Sequence, residues 1–474
     1  MDKIAVIGGL GTLSGGDLFF KLLKNKEVLK HQKNYHFIFE QQPYSQIESA
    51  LYEEQDIKSR KFYTFSICKN FEQKNVSKIL LPCFASHSFI EELQTETSIS
   101  IINIFEAITD YLDSRFEKGT KIGVLTSNFV KDSFLLKKYF QDFELVYPEN
   151  QARLMKALYG EAGIKNGYLD GLPLEYIYEA CIGLKAKGCE VILPCVTEIS
   201  LLVNQLWKRG IPIIDVNEVY ANYALAKGNM PHAKPFKLGI VGGVGPSATV
   251  DLMNKIIQNT PAKKDQDHIK MVVEQNPQIP DRTANLIQNQ TDPTIALFST
   301  CKKLEAASSD AIAIPCNTAH AFVKQIQEHL NVPIVNMITT TAEYIVKNFG
   351  KGTHVGLLAT SGTVQSKVYY NALIHFGLQV IFPDELHQAD VMESIYGEYG
   401  VKAGHTEGVC KEHILKGANY LIENGARVII LGCTELPLLF PQTKELKVGE
   451  KTVELIDPTL VLAKRIVDLS KAPH

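Results

Sequence analysis

Several things are scarce or missing in this 474-residue chain, and each shortage removes a class of function. Charge of one sign is not in excess: the net charge is -3 with 21% charged residues, so neither nucleic acid nor a membrane surface is expected as a partner. No uninterrupted apolar run approaches the ~20 residues of a membrane span. The N-terminal IAVIGG (residues 4–9) enters a strand-like run without a basic n-region, so no signal peptide is expected and the cytoplasm is the expected compartment. CxxC and HxxxH spacings are both missing, which argues against a metal site. The nine cysteines are an odd number, and Cys68, Cys181 and Cys301 sit inside apolar runs, a pattern of reduced thiols rather than a disulfide framework.

What is present is a duplicated unit. IAVIGGLGTLSGGDLFFKLL (4–23) matches LGIVGGVGPSATVDLMNKII (238–257), with Gly8, Gly9 and Gly11 falling on Gly242, Gly243 and Gly245. The match continues through FEQQP (39–43) and VEQNP (273–277), LPCFASHSF (81–89) and IPCNTAHAF (314–322), and YGEAGIKNG (159–167) and YGEYGVKAG (396–404). AKGNMPHAKP (226–235) breaks the periodicity and reads as a linker, which gives two domains, 1–230 and 236–474. In the second copy LGIVGG (238–243), KMVVEQ (270–275), AIAIP (311–315), PIVNM (333–337), HVGLLA (354–359) and RVIILG (427–432) read as strands between amphipathic stretches. That alternation predicts an α/β fold of βαβ units, with four parallel-sheet lobes, two per copy.

Two cysteines of the second copy stand out, because each follows a strand-like run and precedes a segment with helical character. Cys316 lies in IPCNTAHAF and Cys433 in LGCTELPLL (431–439). Strand-to-helix turns carry sites in open α/β sheets, and two thiols so placed suit proton transfer to and from opposite sides of one small substrate. The turn GGVGPSA (242–248) has the spacing of a dinucleotide fingerprint, but Pro246 sits in it and no Lys-Ser/Thr pair follows, so a tight turn is the preferred reading.

Taken together, GGVGP, TPAKKDQDHI (260–269), QNPQIPDRT (275–283), PCNTAH (315–320), LATSGTV (358–364), YGEYGVKAG and GCTEL (432–436) resemble the aspartate/glutamate racemase superfamily, most closely its aspartate racemase branch. Glu435 stands where the glutamate branch has His after the second Cys-Thr. The resemblance implies a cofactor-independent racemase that holds its substrate between two lobes, with Cys316 and Cys433 as the two bases of an L-/D-aspartate interconversion. It places Arg282 and Lys402 on the carboxylates of a dicarboxylic amino acid. The two cationic residue types fit that role, since arginine grips a carboxylate with two donors and lysine supplies a point charge. Asn317, Thr318, Thr360, Thr363 and Thr434 are candidate substrate donors. His320 recurs as His87, which suits a shared structural hydrogen bond as well as catalysis, and it is left out of the catalytic set. Glutamate or broad-specificity racemisation, maleate-type isomerisation and a non-catalytic dicarboxylate sensor are the competing functions.

The first copy departs from this pattern. Aligned by its surroundings, Glu48 falls opposite Arg282, Phe84 and Ala85 replace Asn317 and Thr318, Val196 takes the place of Cys433, and VLTSNFV (124–130) replaces LATSGTV. Cys83 and Lys165 remain, and Cys195 lies one position early. The expectation is a racemase-like unit without aspartate racemase activity. Its role would be that of a built-in partner, an intrachain pseudo-dimer that leaves room for a further homo-oligomer, or else a regulatory ligand site.

Overall fold

In the computed structural model the described residues are 1–42, 44, 54–227, 235–440, 445–448 and 451–471, so Glu48 and residues 228–234 of the expected linker lie outside them. The chain divides into two compact units, Met1–Lys234 and Pro235–His474.

The first unit begins β1 (Asp2–Ile7), α1 (Thr12–Leu23), β2 (Tyr35–Glu40), α2 (Glu54–Gln73), β3 (Lys78–Leu80) and β4 (Ser100–Ile102), and these strands form a sheet in the order β2-β1-β3-β4. β5 (Lys121–Thr126), β6 (Glu144–Val146) and β7 (Val191–Cys195) form a second sheet in the order β6-β5-β7. Every pairing in both sheets is parallel. The strands are apolar along their length because helices cover both faces, as parallel sheets require. Ile4, Val6, Ile122 and Val124 are fully buried, each worth about 1.5–3 kcal/mol of burial.

The second unit repeats the plan. β8 (Lys237–Gly242), β9 (Lys270–Gln275) and β10 (Ala311–Ala313) form a parallel sheet ordered β10-β8-β9. β11 (His354–Leu358), β12 (Gln379–Ile381), β13 (Val428–Leu431), β14 (Glu445–Val448) and β15 (Lys451–Ile456) form the sheet β12-β11-β13-β15-β14. The duplicated α/β architecture is therefore as expected, with two differences in detail. β14 pairs antiparallel with β15, so the last sheet is mixed. PIVNM is not a strand: Ile334 makes only a single bridge to Ile312, and Asn336 then accepts from the amides of Ile338 and Thr339 and starts a helix. An N-capping side chain two residues after the bridge leaves no length for a ladder.

Ladder register fixes how the copies correspond. In the first unit Leu125 pairs with Pro194 and Thr126 with Cys195; in the second Leu358 pairs with Leu431. Counting on one residue from Thr126 and Cys195, and two from Leu358 and Leu431, puts Ser127 opposite Thr360 and Val196 opposite Cys433.

Candidate functional site

Cys316 follows β10 in the turn that leads to the helix His320–Gln327, and Cys433 follows β13. After Cys433 comes a single 3-10 turn, Leu436–Leu439, rather than the expected longer helix, with Pro437 near its start. Both thiols line one cleft of about 260 Å³ together with Arg282, Asn317, Thr318, Thr360, Lys402 and Thr434. The cleft also draws in Val244, Thr283, Tyr396 and Glu435, residues that sequence reasoning had not assigned to it. Glu435 and Tyr396 lay in quoted motifs, yet nothing in their spacing pointed them at a cleft. All nine cysteines are unpaired thiols.

Local capping explains why Arg282 is there. Asp281 caps the helix α3 (Arg282–Gln288) by accepting from the Ala284 amide at 2.7 Å, so PDRT places Arg282 in its first turn. The arginine is 7% exposed, and Nη1 donates to the carbonyls of Ile279 and Pro280 at 3.4 and 3.2 Å. Nε makes no hydrogen bond among the described residues. Burial works against its charge, but the neighbouring Cys316 sulfur and Asp281 carboxylate outweigh it and hold the guanidinium's pKa above its usual value. Asn317 shows the same pattern: Oδ1 accepts from the Tyr369 hydroxyl at 2.6 Å, while buried Nδ2 donates to nothing among the described residues. A buried donor without a partner costs about 1–3 kcal/mol, so two of them beside one cleft mark where an acceptor is missing.

The threonines are already engaged with one another. Thr360 caps the helix α4 (Ser361–Gln365), accepting from the Thr363 amide, and its hydroxyl lies 3.1 Å from that of Thr363 and 3.2 Å from those of Thr283 and Thr318. Thr318 and Thr363 are 2.8 Å apart. Thr363 is fully buried behind this cluster and is not among the cleft-lining residues. Thr434 donates to the carbonyl of Pro315 at 3.2 Å, tying the two lobes of the unit together at the cleft floor.

Around Cys433 the polar groups form a second cluster. Its thiol donates to Glu435 Oε2 at 3.1 Å, and Lys402 Nζ stands 3.3 Å from Glu435 Oε1 and 5.2 Å from the centre of the Tyr396 ring. Burial raises the Cys433 pKa well above the usual thiol value, and the Glu435 carboxylate raises it further. Burial alone would lower Lys402, but Glu435 and the nearby thiols overcome it and raise the ammonium's pKa. Tyr396 is pushed up to about 12 by burial.

Two features that sequence left ambiguous now have a structural cause. Gly243 and Gly245 have φ of 85° and 118°. A Cβ at Gly245 would collide with the Glu435 carboxylate, so the glycine turn makes room for an acidic side chain, the opposite of a phosphate cradle. His320 donates from Nδ1 to the Cys316 carbonyl at 2.8 Å and accepts at Nε2 from the Met337 amide at 3.1 Å. Burial lowers its pKa to about 4, and it is a neutral strut that fixes the Cys316 turn. His87 does the same for Cys83 at 2.9 and 3.1 Å.

In the first unit the corresponding cleft holds Cys83, Phe84, Ala85, Ser127, Val130, Lys165, Val196 and Glu198. Ser127 caps its helix by accepting from the Val130 amide, as Thr360 does with Thr363, so Val130 replaces Thr363. Cys195 is fully buried in the hydrophobic core, where burial drives its thiol pKa upward. Arg60, from α2, also lines this cleft and brings Nη1 to 3.7 Å from Cys83 Sγ. No alignment of the copies predicts it, because it comes from an element that places no residue at the second cleft.

The family model described as Asp/Glu/Hydantoin racemase matches residues 7–224 and again residues 241–466. Among curated proteins, the broad specificity amino-acid racemase RacX of Bacillus subtilis (strain 168) is 27% identical over 238 residues, 48% of this chain and 96% of the relative. A glutamate racemase of Prochlorococcus marinus (strain NATL2A) is 29% identical over 164 residues, 33% of this chain and 55% of that relative. Among solved structures, the Picrophilus torridus aspartate racemase is 33% identical with a TM-score of 0.43, covering 50% of this chain and 94% of its own.

Proposed function

Because the chain belongs to the Asp/Glu/hydantoin racemase family, we propose that its second unit interconverts L- and D-aspartate without pyridoxal, using Cys316 and Cys433 as the two proton-transfer groups. The observation that carries this reading is the pairing of two buried thiols on one cleft with two orphaned donors, Arg282 Nε and Asn317 Nδ2. A substrate carboxylate supplies the acceptor both donors lack. Lys402 attracts the second carboxylate.

Inversion needs a base on one face of the α-carbon and an acid on the other. Cys433 enters as the acid, since its thiol is held protonated by burial and by Glu435. Cys316 beside Arg282 takes the α-proton as its thiolate, and Cys433 delivers its own proton to the opposite face. The product leaves with the proton on Cys316 and the negative charge on Cys433. The pair resets when Cys316 gives that proton to solvent and Cys433 takes one from solvent, and the Glu435 carboxylate, within hydrogen-bond reach of Cys433, is placed to relay it. Arg282 stabilises the negative charge that builds on the carboxylate as the α-proton departs. The similarity to RacX supports a second reading, in which the same machinery accepts several amino acids.

Proton NMR of L-aspartate with the full-length protein in deuterated water, combined with a chiral assay, tests the proposal. Expected are α-deuteration and accumulation of D-aspartate, each slowed at least about a hundredfold by Cys316→Ser or Cys433→Ser, the scale of a lost acid or base. An unexchanged α-proton in a folded sample would refute aspartate as the substrate and send the same assay to other amino acids.

A further inference from the structure

Among the described residues lining the first unit's cleft, one charge stands without an opposite partner, the buried guanidinium of Arg60. Arg60 is 5% exposed, its side chain lines the cleft, and its Nε makes no hydrogen bond among the described residues. Nη1 faces Cys83 Sγ, and the guanidinium lies 5.6 Å from the centre of the Tyr44 ring. The other cation, Lys165, is already spent in an ion pair with Glu198, the two being 12% and 5% exposed. A buried cation with an open donor edge is costly unless an anion arrives to pair with it. The rest of the wall mixes polar groups, among them Ser127, Tyr159 and Thr197, with apolar ones. Phe84, Ala85, Val130 and Val196 stand where the second unit has Asn317, Thr318, Thr363 and Cys433.

We propose that this cleft is a binding site for a small monocarboxylate with an apolar remainder. The carboxylate pairs with Arg60, whose planar fork matches it, and the remainder packs against Phe84 and Val130. Among the described residues a second carboxylate would find only Lys165, whose contact with Glu198 is closer than that of Lys402 with Glu435. The bound molecule is not inverted, because Val196 offers no proton acceptor or donor where the second unit has Cys433, and burial pushes the Cys195 thiol, which also lines the cleft, away from its thiolate form. The guanidinium–thiol pairing of the catalytic unit thus recurs in the first unit, built from α2 instead of α3. The inference stands whether or not the second unit acts on aspartate.

Cys83 is a suitable reporter, since it is partly exposed while the other eight cysteines are buried. Full-length protein is treated with iodoacetate or with neutral iodoacetamide, and modification at Cys83 is timed by peptide mass spectrometry. In each reaction the sulfur forms a bond to the methylene carbon, iodide leaves, and the thiol proton passes to buffer. Iodoacetate is itself a small monocarboxylate. We expect it to modify Cys83 about tenfold faster than iodoacetamide, the worth of one charge-assisted hydrogen bond. Butyrate should protect Cys83 at concentrations where L-aspartate protects less. Arg60→Met should abolish the preference for iodoacetate, and Arg60→Lys, which keeps the charge without the fork, should retain part of it. If iodoacetamide is as fast as iodoacetate on the unsubstituted protein, or butyrate leaves the rate unchanged, the site does not exist; that comparison needs no variant to fold.

Discussion

At the scale of the residue, the two thiols of the second unit are made unequal by their neighbours. Cys433 sits against a carboxylate and Cys316 against a guanidinium, so burial and Glu435 hold a proton on Cys433 while Arg282 faces the other sulfur. The consequence is a pH dependence whose sign can be worked out. The raised pKa of Cys433 keeps its thiolate scarce at neutral pH, so the direction of racemisation that uses Cys433 as the base should climb with pH beyond the ordinary thiol range. Glu435→Gln removes the negative charge and its hydrogen-bond demand while burial stays, and it frees Lys402 to act on the sulfur. The alkaline limb of that direction should therefore move down by roughly one pH unit or more. Rate profiles measured from L- and D-aspartate should both carry the shift, as a rising limb where Cys433 serves as the base and a falling limb where it serves as the acid. An unmoved limb in both would mean that Glu435 does not govern Cys433.

At the scale of the element, the glycine turn after β8 is shaped by a side chain from the other lobe. Gly245 has a positive φ and a Cβ there would strike Glu435, so Gly245→Ala should disturb both the turn and the carboxylate that holds the Cys433 proton. We expect a loss of about 1–3 kcal/mol in stability with a fall in activity larger than that of a turn variant remote from the cleft, measured by urea unfolding and turnover on the same sample. A stable, fully active variant would separate the turn from the site. This coupling was invisible in the sequence because it joins residues 245 and 435, whereas what could be read there was local. Strand runs such as LGIVGG and KMVVEQ declared themselves through continuous apolar character, and PDRT through its cap. PIVNM misled because a short apolar run does not reveal that Asn336 will start a helix at once. The pairing of β14 with β15 escaped notice because ELKV carries the charges of an edge strand and KTVELI, inside the sheet, opens on a charged and a polar residue. Arg60 is the sharpest case: one arginine in a long helix carries no mark that it turns inward, and only the fold brings it to Cys83.

At the scale of the whole molecule, duplication supplies two clefts on one plan, and substitutions at a few lining positions divide their chemistry. Both units keep the histidine strut beneath the first cysteine, the lysine–glutamate pair and the threonine that ties the lobes, with Thr197 on the Pro82 carbonyl at 3.0 Å as Thr434 is on Pro315. The scaffold is thus retained while the second thiol is not. Every residue assigned to proton transfer or carboxylate binding in the second cleft lies between Arg282 and Glu435, inside the unit Pro235–His474. Each unit also has buried clusters of its own, Ile122 with Leu193 in the first and Ile430 with Val355 in the second. A fragment of residues 236–474 should therefore exchange the α-proton of L-aspartate within about threefold of the full chain, and a fragment of residues 1–230 should fold yet exchange none. Circular dichroism on both fragments, with the deuterium-exchange assay, checks the pair of outcomes. Activity in the first fragment would overturn the assignment of Val196 as the missing base. A second fragment that aggregates, and regains activity when the first is added back, would show that the silent copy serves as the partner the catalytic copy needs.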